Sequence, residues 1–178
     1  MKKVLLSLSA IAMALSLAAC SDQPEEQAKP EITEQQSIEN VLLEQFAGPY
    51  GGVPAFESMS LTDLKPALEK GMKLNLAEIE AIANNPEPPT FENTIVAMER
   101  AGAELSRVFT YWGIWSSNIS SPEFREIQKE MVPVISAFSS KITQNETLFA
   151  RVKAVYESDE LKNLSTEEQR VTWLTYNG

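Results

Sequence analysis

From residue 60 onward, apolar residues in this chain recur at steps of three and four, and no run of alternating apolar and polar residues competes with them. The clearest case is Leu64, Leu68, Met72, Leu76, Ile79 and Ile82 or Ala83, a single stripe halted by "NNPEPP" at 84–89. Helical geometry stacks residues three and four apart on one face, whereas a strand would scatter such a set over both faces. The spacing therefore predicts an all-α fold.

The same logic divides the rest of the body. Pro66 is tolerable near the first turn of the first helix, where the missing N–H is least felt. Thr90 is a capping residue for a second helix whose core face is Phe91, Ile95, Met98, Leu105, Phe109 and Trp112, with a break allowed at Gly102. Ser121-Pro122-Glu123 opens a third, with Phe124, Ile127, Met131, Val134, Ile135, Phe138 and Ile142 as its stripe and an expected kink at Pro133. Asn145 starts a fourth helix carrying Leu148, Phe149, Val152, Val155 and Tyr156. Ser165-x-x-Glu168 is a capping box for a fifth, which shows only Val171 and Leu174 to a partner before Gly178.

Ahead of these helices stands "AGPYGGVPAF" at 47–56, with Gly48, Gly51 and Gly52 interspersed with Pro49 and Pro54. Glycine and proline in this density exclude a helix and predict an extended or turning arm, pinned by the rings of Tyr50 and Phe56. A phosphate-cradling loop is excluded, because neither G-x-x-x-x-G-K-[ST] nor G-x-G-x-x-G is present and no strand precedes the segment.

The N-terminus reads "MKKVLLSLSAIAMALSLAACSD", two lysines and an apolar run to Ala19 that is too short and too rich in serine for a transmembrane helix. Leu17-Ala18-Ala19-Cys20 resembles the lipobox of bacterial lipoproteins. That resemblance implies a signal peptide over 1–19, cleavage before Cys20, and lipid attachment to Cys20, with an ordinary cleaved signal as the alternative. One acyl chain anchors marginally and several hold firmly, at ~0.8 kcal/mol per buried methylene. Ser21, rather than aspartate, after the cysteine implies outer-membrane sorting, so the expected place is the periplasm-facing cell envelope. Cys20 is the chain's single cysteine, so its modification leaves no thiol for a disulfide or a metal. Residues 20–40, acidic and glutamine-rich, read as a disordered tether, and 41–178 as the helical domain.

Charge and composition narrow function by exclusion. The formal net charge is −10, and loss of the two signal lysines takes it to −12, so no nucleic acid is expected as a partner. The chain contains no histidine, which removes the usual triads, most catalytic zinc sites and imidazole general bases. The acid pairs Glu78 with Glu80, Glu92 with Glu99, and Glu167 with Glu168 lie in polar contexts and read as solvated helix faces. The aromatic run "FTYWGIWSSN", with Phe109, Tyr111, Trp112 and Trp115, reads as core packing, with stacking on a sugar or peptide as the alternative. The neighbours Tyr111 and Trp112 cannot share one face, so one of them is expected at an interface or exposed. The N-x-[ST] matches at Asn118, Asn145 and Asn163 are at chance level. No catalytic, cofactor-binding or metal-binding residue emerges.

Three blocks carry a family resemblance: "NVLLEQFAGPYGGVPAFESMSLTDLKPALEKGM", "EIEAIANNPEPPTFENTIVAMERAG" and "NETLFARVKAVYES". They resemble the N-terminal helical region of the peptidyl-dipeptidase and oligopeptidase A group of zinc metallopeptidases, relatives of thimet oligopeptidase, over nearly all of 41–176. The resemblance implies a multi-helix domain with an extended arm, forming one wall of a channel that admits short peptides. It also implies a zinc held by an H-E-x-x-H helix in a later catalytic domain. No position here matches a zinc ligand, so the chain alone is expected to be inactive and ended early relative to such an enzyme. The other function class left open is a non-enzymatic helical envelope lipoprotein that binds peptides or a partner, since roughly 135 residues suffice to bury one core.

Overall fold

The computed structural model describes residues 40–178; the expected signal peptide, Cys20 and the tether before Asn40 lie outside the described residues. The described helices are α1 (Leu61–Ala83), α2 (91–100, entered through a π-helical stretch, Phe91–Val96), α3 (Ala103–Ser117), α4 (Pro122–Thr143), α5 (Glu146–Tyr156) and α6 (Thr166–Asn177), with 3₁₀ turns at Val41–Leu43 and Glu160–Asn163. Among the described residues the extended pairing is a single antiparallel bridge between Ala47 and Val53, so the fold is all-α, as the spacing predicts.

Side-chain caps set where the helices begin. Thr90 and Asn93 exchange hydrogen bonds, the Asn93 N–H donating to the Thr90 hydroxyl (3.1 Å) and the Thr90 N–H to the Asn93 side-chain Oδ1 (2.9 Å). Ser121 accepts from the Phe124 N–H (3.2 Å) with Pro122 in the first turn, where its absent donor costs nothing. Asn145 accepts from Leu148 (2.9 Å), and Ser165 and Glu168 close the expected capping box. Every residue singled out as a helix start thus caps one. The expected second helix is two, because Gly102 takes a left-handed φ of 79° and starts α3 in a new direction.

Packing explains why certain positions are small. A Cβ on Gly71 would stand 3.2 Å from the Leu105 Cα, so α1 and α3 cross with their backbones nearly in contact. A Cβ on Gly102 would meet the Asn75 amide nitrogen at 2.8 Å, while the Gly102 N–H donates to the Glu78 carboxylate (2.7 Å). Around the α1–α3 crossing the main core gathers Leu42, Leu43, Leu64, Leu68, Met72, Val108, Tyr111, Trp115, Phe124 and Met131. Fully burying a side chain such as Phe124 contributes about 2 kcal/mol. A smaller cluster joins Ile79 and Ala83 to Leu148, and another joins Ile95 to Val152 and Val155.

Several stripe assignments need correction. The buried face of α3 is Leu105, Val108, Tyr111 and Trp115, while Phe109 and Trp112 are half-buried, because the turn at Gly102 resets the helical phase inherited from α2. Val134 is 43 % exposed, since α4 buries only Phe124 and Met131 fully and leans on α1 with a narrow edge. Phe149 is 48 % exposed and Leu174 49 %, because Leu148, Val152 and Val155 turn α5 inward and Thr172 is the buried residue of α6. Pro66 lies in the second turn of α1 rather than the first, on its exposed side, where the carbonyl deprived of a donor meets water.

Candidate functional site

The arm at 47–56 is a doubled-back turn. Tyr50 and Gly51 both have positive φ, 60° and 87°, and the Gly52 N–H donates to the Pro49 carbonyl (3.1 Å), the pattern of a type I′ turn. A Cβ on Gly52 would come within 2.4 Å of the Phe46 carbonyl oxygen, so only glycine permits this return. The anchors differ from those expected. Tyr50 is 100 % exposed at the apex and Phe56 is 56 % exposed; the arm is held instead by the buried Tyr111, whose hydroxyl accepts the Ala55 N–H (2.7 Å) and whose ring meets Phe46 edge-on at 5.8 Å. The sequence hid this because Tyr111 lies 56 residues away on α3.

Tyr111 therefore settles the aromatic run as packing. It tilts against Trp115 at 6.3 Å, while Trp112, on the neighbouring face, sets its ring edge on Phe124 at 5.3 Å. Two adjacent residues both find core contacts because α3 is covered on two sides, by the arm and by α4. Beneath the arm remains an open cradle of about 470 Å³ bordered by Glu44, Phe46, Val53, Phe56, Glu57 and Tyr111. A second groove, about 520 Å³, runs between α1 and α4 over Met72, Leu76, Val134 and Phe138, with Glu69, Lys73, Glu80 and Lys141 along its edges.

The acid pairs do not converge into a reacting centre. Glu78 holds the start of α3, Glu92 pairs with Arg100 (3.0 Å), Glu168 completes a cap, and Glu80, Glu99 and Glu167 are exposed. Among the described residues no three His, Cys, Asp or Glu side chains come close enough to hold a metal ion. Carboxylates alone, without histidine or a grouped set of acids among the described residues, are not a donor set that fits zinc. Among the described residues three titrating groups are displaced. The Glu123 carboxyl sits below its ordinary value because it is hydrogen-bonded by Ser121 and by its own N–H; Lys65 is raised by its bond to Glu130, and Lys153 by its bond to Glu157. All three are exposed helix-surface interactions.

The residue that sequence reasoning missed is Arg151. It is 7 % exposed, and its guanidinium donates to the carbonyls of Asn85 (2.8 Å) and Glu87 (3.0 Å) and to the Asn93 side chain (2.9 Å). Asn93 in turn donates to the Pro88 carbonyl (2.9 Å). The stretch from Asn85 to Asn93 is thus tied to α5 by one buried cation with no carboxylate partner among the described residues. A signal was available: Arg151 falls on the same helical face as Leu148 and Val155, and a charge on an apolar stripe needs acceptors.

Comparison with known proteins places this scaffold. The family described as Neurolysin/Thimet oligopeptidase, N-terminal domain, matches residues 66–175, more than half of the chain. The chain is 34 % identical to the dipeptidyl carboxypeptidase of Salmonella typhimurium over 132 residues, covering 74 % of this chain and 19 % of that protein. It is 33 % identical to the dipeptidyl carboxypeptidase of Escherichia coli over 132 residues, again 74 % and 19 %. It is 25 % identical to the oligopeptidase A of Salmonella typhimurium over 131 residues, 74 % and 18 %. The chain thus spans less than a fifth of the length of these relatives, and the matched family region begins after the arm.

Proposed function

Since this chain belongs to the neurolysin/thimet oligopeptidase family through that family's N-terminal domain, we propose that it is the channel-wall region of a zinc metallopeptidase of the peptidyl-dipeptidase or oligopeptidase type, whose substrates are short peptides. The observation that carries this is the match over 66–175 together with identity to two dipeptidyl carboxypeptidases. Its blocks coincide with parts of the fold that must be shaped: the Asn85–Asn93 stretch clamped by Arg151, and the α1–α3 crossing. The zinc of such an enzyme belongs to a further domain, because the residues here do not fit it. The chain by itself shapes access to the reacting centre and performs no hydrolysis.

We further propose that the protein is lipid-anchored through Cys20 and faces the periplasm from the outer membrane, on the strength of Leu17-Ala18-Ala19-Cys20 and Ser21. Mass spectrometry of the membrane-extracted protein tests this: a diacylglyceryl, N-acylated Cys20 is expected, and an unmodified cysteine overturns it. The peptidase reading is tested by the genomic DNA after codon 178, in which an encoded H-E-x-x-H is expected and its absence in all frames counts against the parent enzyme. The second reading, a helical envelope lipoprotein that binds peptides or a partner without chemistry, is favoured by one observation. The core around Tyr111 and Phe124 is closed by this chain's own residues.

A further inference from the structure

We propose that the cradle beneath the arm is a binding site for a cationic side chain, a lysine or an arginine, of a short peptide. This rests on the peptide-handling reading above and adds a charge preference to it. The cradle, about 470 Å³, falls in the range of small-ligand clefts. Its sides are the rings of Phe46 and Phe56 and the Val53 side chain, and its border carries Glu44 and Glu57. Neither carboxylate takes part in an ion pair among the described residues, and no lysine or arginine borders the cradle. Two acids on the border of an apolar cradle that no lysine or arginine lines match an aliphatic stem ending in a positive charge.

The floor adds a polar group of the other kind. The buried Tyr111 hydroxyl accepts the Ala55 N–H at 2.7 Å, and its own proton meets no acceptor among the described residues. A peptide supplies both complements at once, a carbonyl to accept from the phenol and a cation for the carboxylates. The shape depends on the turn, because Gly52 lets the arm return over Phe46 where any side chain would clash. The net charge of −10 adds a long-range pull on cations that salt screens.

The test is calorimetric titration of the full chain, at low ionic strength, with acetyl-Ala-Lys-Ala-amide, the same peptide carrying acetyl-lysine, and butylamine. The lysine peptide is expected to bind saturably and about fivefold tighter than its acetylated twin, the scale of partly exposed ion pairs, with butylamine weaker than the peptide. The double variant E44Q/E57Q, two exposed positions outside the core, should melt as the parent does and lose that difference. G52A should lose the site without a change of charge. Equal binding of the two peptides, or a preference that survives in E44Q/E57Q, overturns the proposal while leaving peptide handling intact. Butylamine binding as tightly as the lysine peptide overturns it too, since the site then reads a free cation. Binding of neither peptide removes both this site and the support it lends to the peptide reading.

Discussion

At the scale of single residues, the structure turns on a few positions where chemistry and geometry leave one choice. Arg151 is the sharpest. Its three acceptors lie in one short stretch, and removing the guanidinium takes the shared donor from the Asn85 and Glu87 carbonyls and from the Asn93 side-chain oxygen, which keeps only its local bonds from Thr90 and Thr94. We expect Arg151→Ala to destabilise the protein by about 3 kcal/mol in urea unfolding, with Arg151→Lys recovering only part of it, since an ammonium cannot span the same acceptors. Gly102 combines a left-handed φ with a contact that a Cβ would make too short, so Gly102→Ala should cost about 2 kcal/mol by the same assay. Gly102 was legible in the sequence as a break, because glycine interrupts an apolar helical stripe there. For Arg151 only half was legible: its charge on the apolar face of α5 calls for acceptors, but those acceptors are more than 50 residues distant and nothing local identifies them.

At the scale of elements, helix starts were readable because capping is local: Thr90, Ser121, Asn145 and Ser165 each satisfy an N–H within three residues of themselves. Helix faces were readable only where one neighbour covers the helix. α3 is covered on two sides and so buries Tyr111 and half-buries Trp112, and α4 is covered along one edge and so leaves Val132 and Val134 exposed. The start of α4 yields a pH prediction. The Glu123 carboxyl titrates below its ordinary value of 4.5 in the folded chain, so its contribution is present above the unfolded pKa and lost as pH falls through the lower folded one. Ser121→Ala removes the hydroxyl bonded to Glu123 and to the Phe124 N–H. It should cost about 1 kcal/mol at pH 7 and less in acid, so thermal melts of parent and variant should converge on going from pH 7 to below 4.5.

At the scale of the whole molecule, two features stand side by side. A closed core, centred on Tyr111, Phe124 and Met131, supports independent folding, and Val132, Val134, Phe149, Trp173 and Leu174 leave apolar surface uncovered. The proposed peptidase wall would use both: rigidity to define an opening, and faces on which a neighbouring domain can sit. The fold class followed from the apolar period alone, and family membership from blocks that now have physical roles, the arm turn excepted, whose anchor on α3 is a tertiary accident of distance. The central claim is that this polypeptide shapes access to a peptidase without supplying its chemistry. Dipeptide release from a short blocked peptide, followed with the purified full chain in the presence of added zinc, tests it most directly. No release above buffer is the expected result; turnover that a chelator abolishes and zinc restores would contradict it.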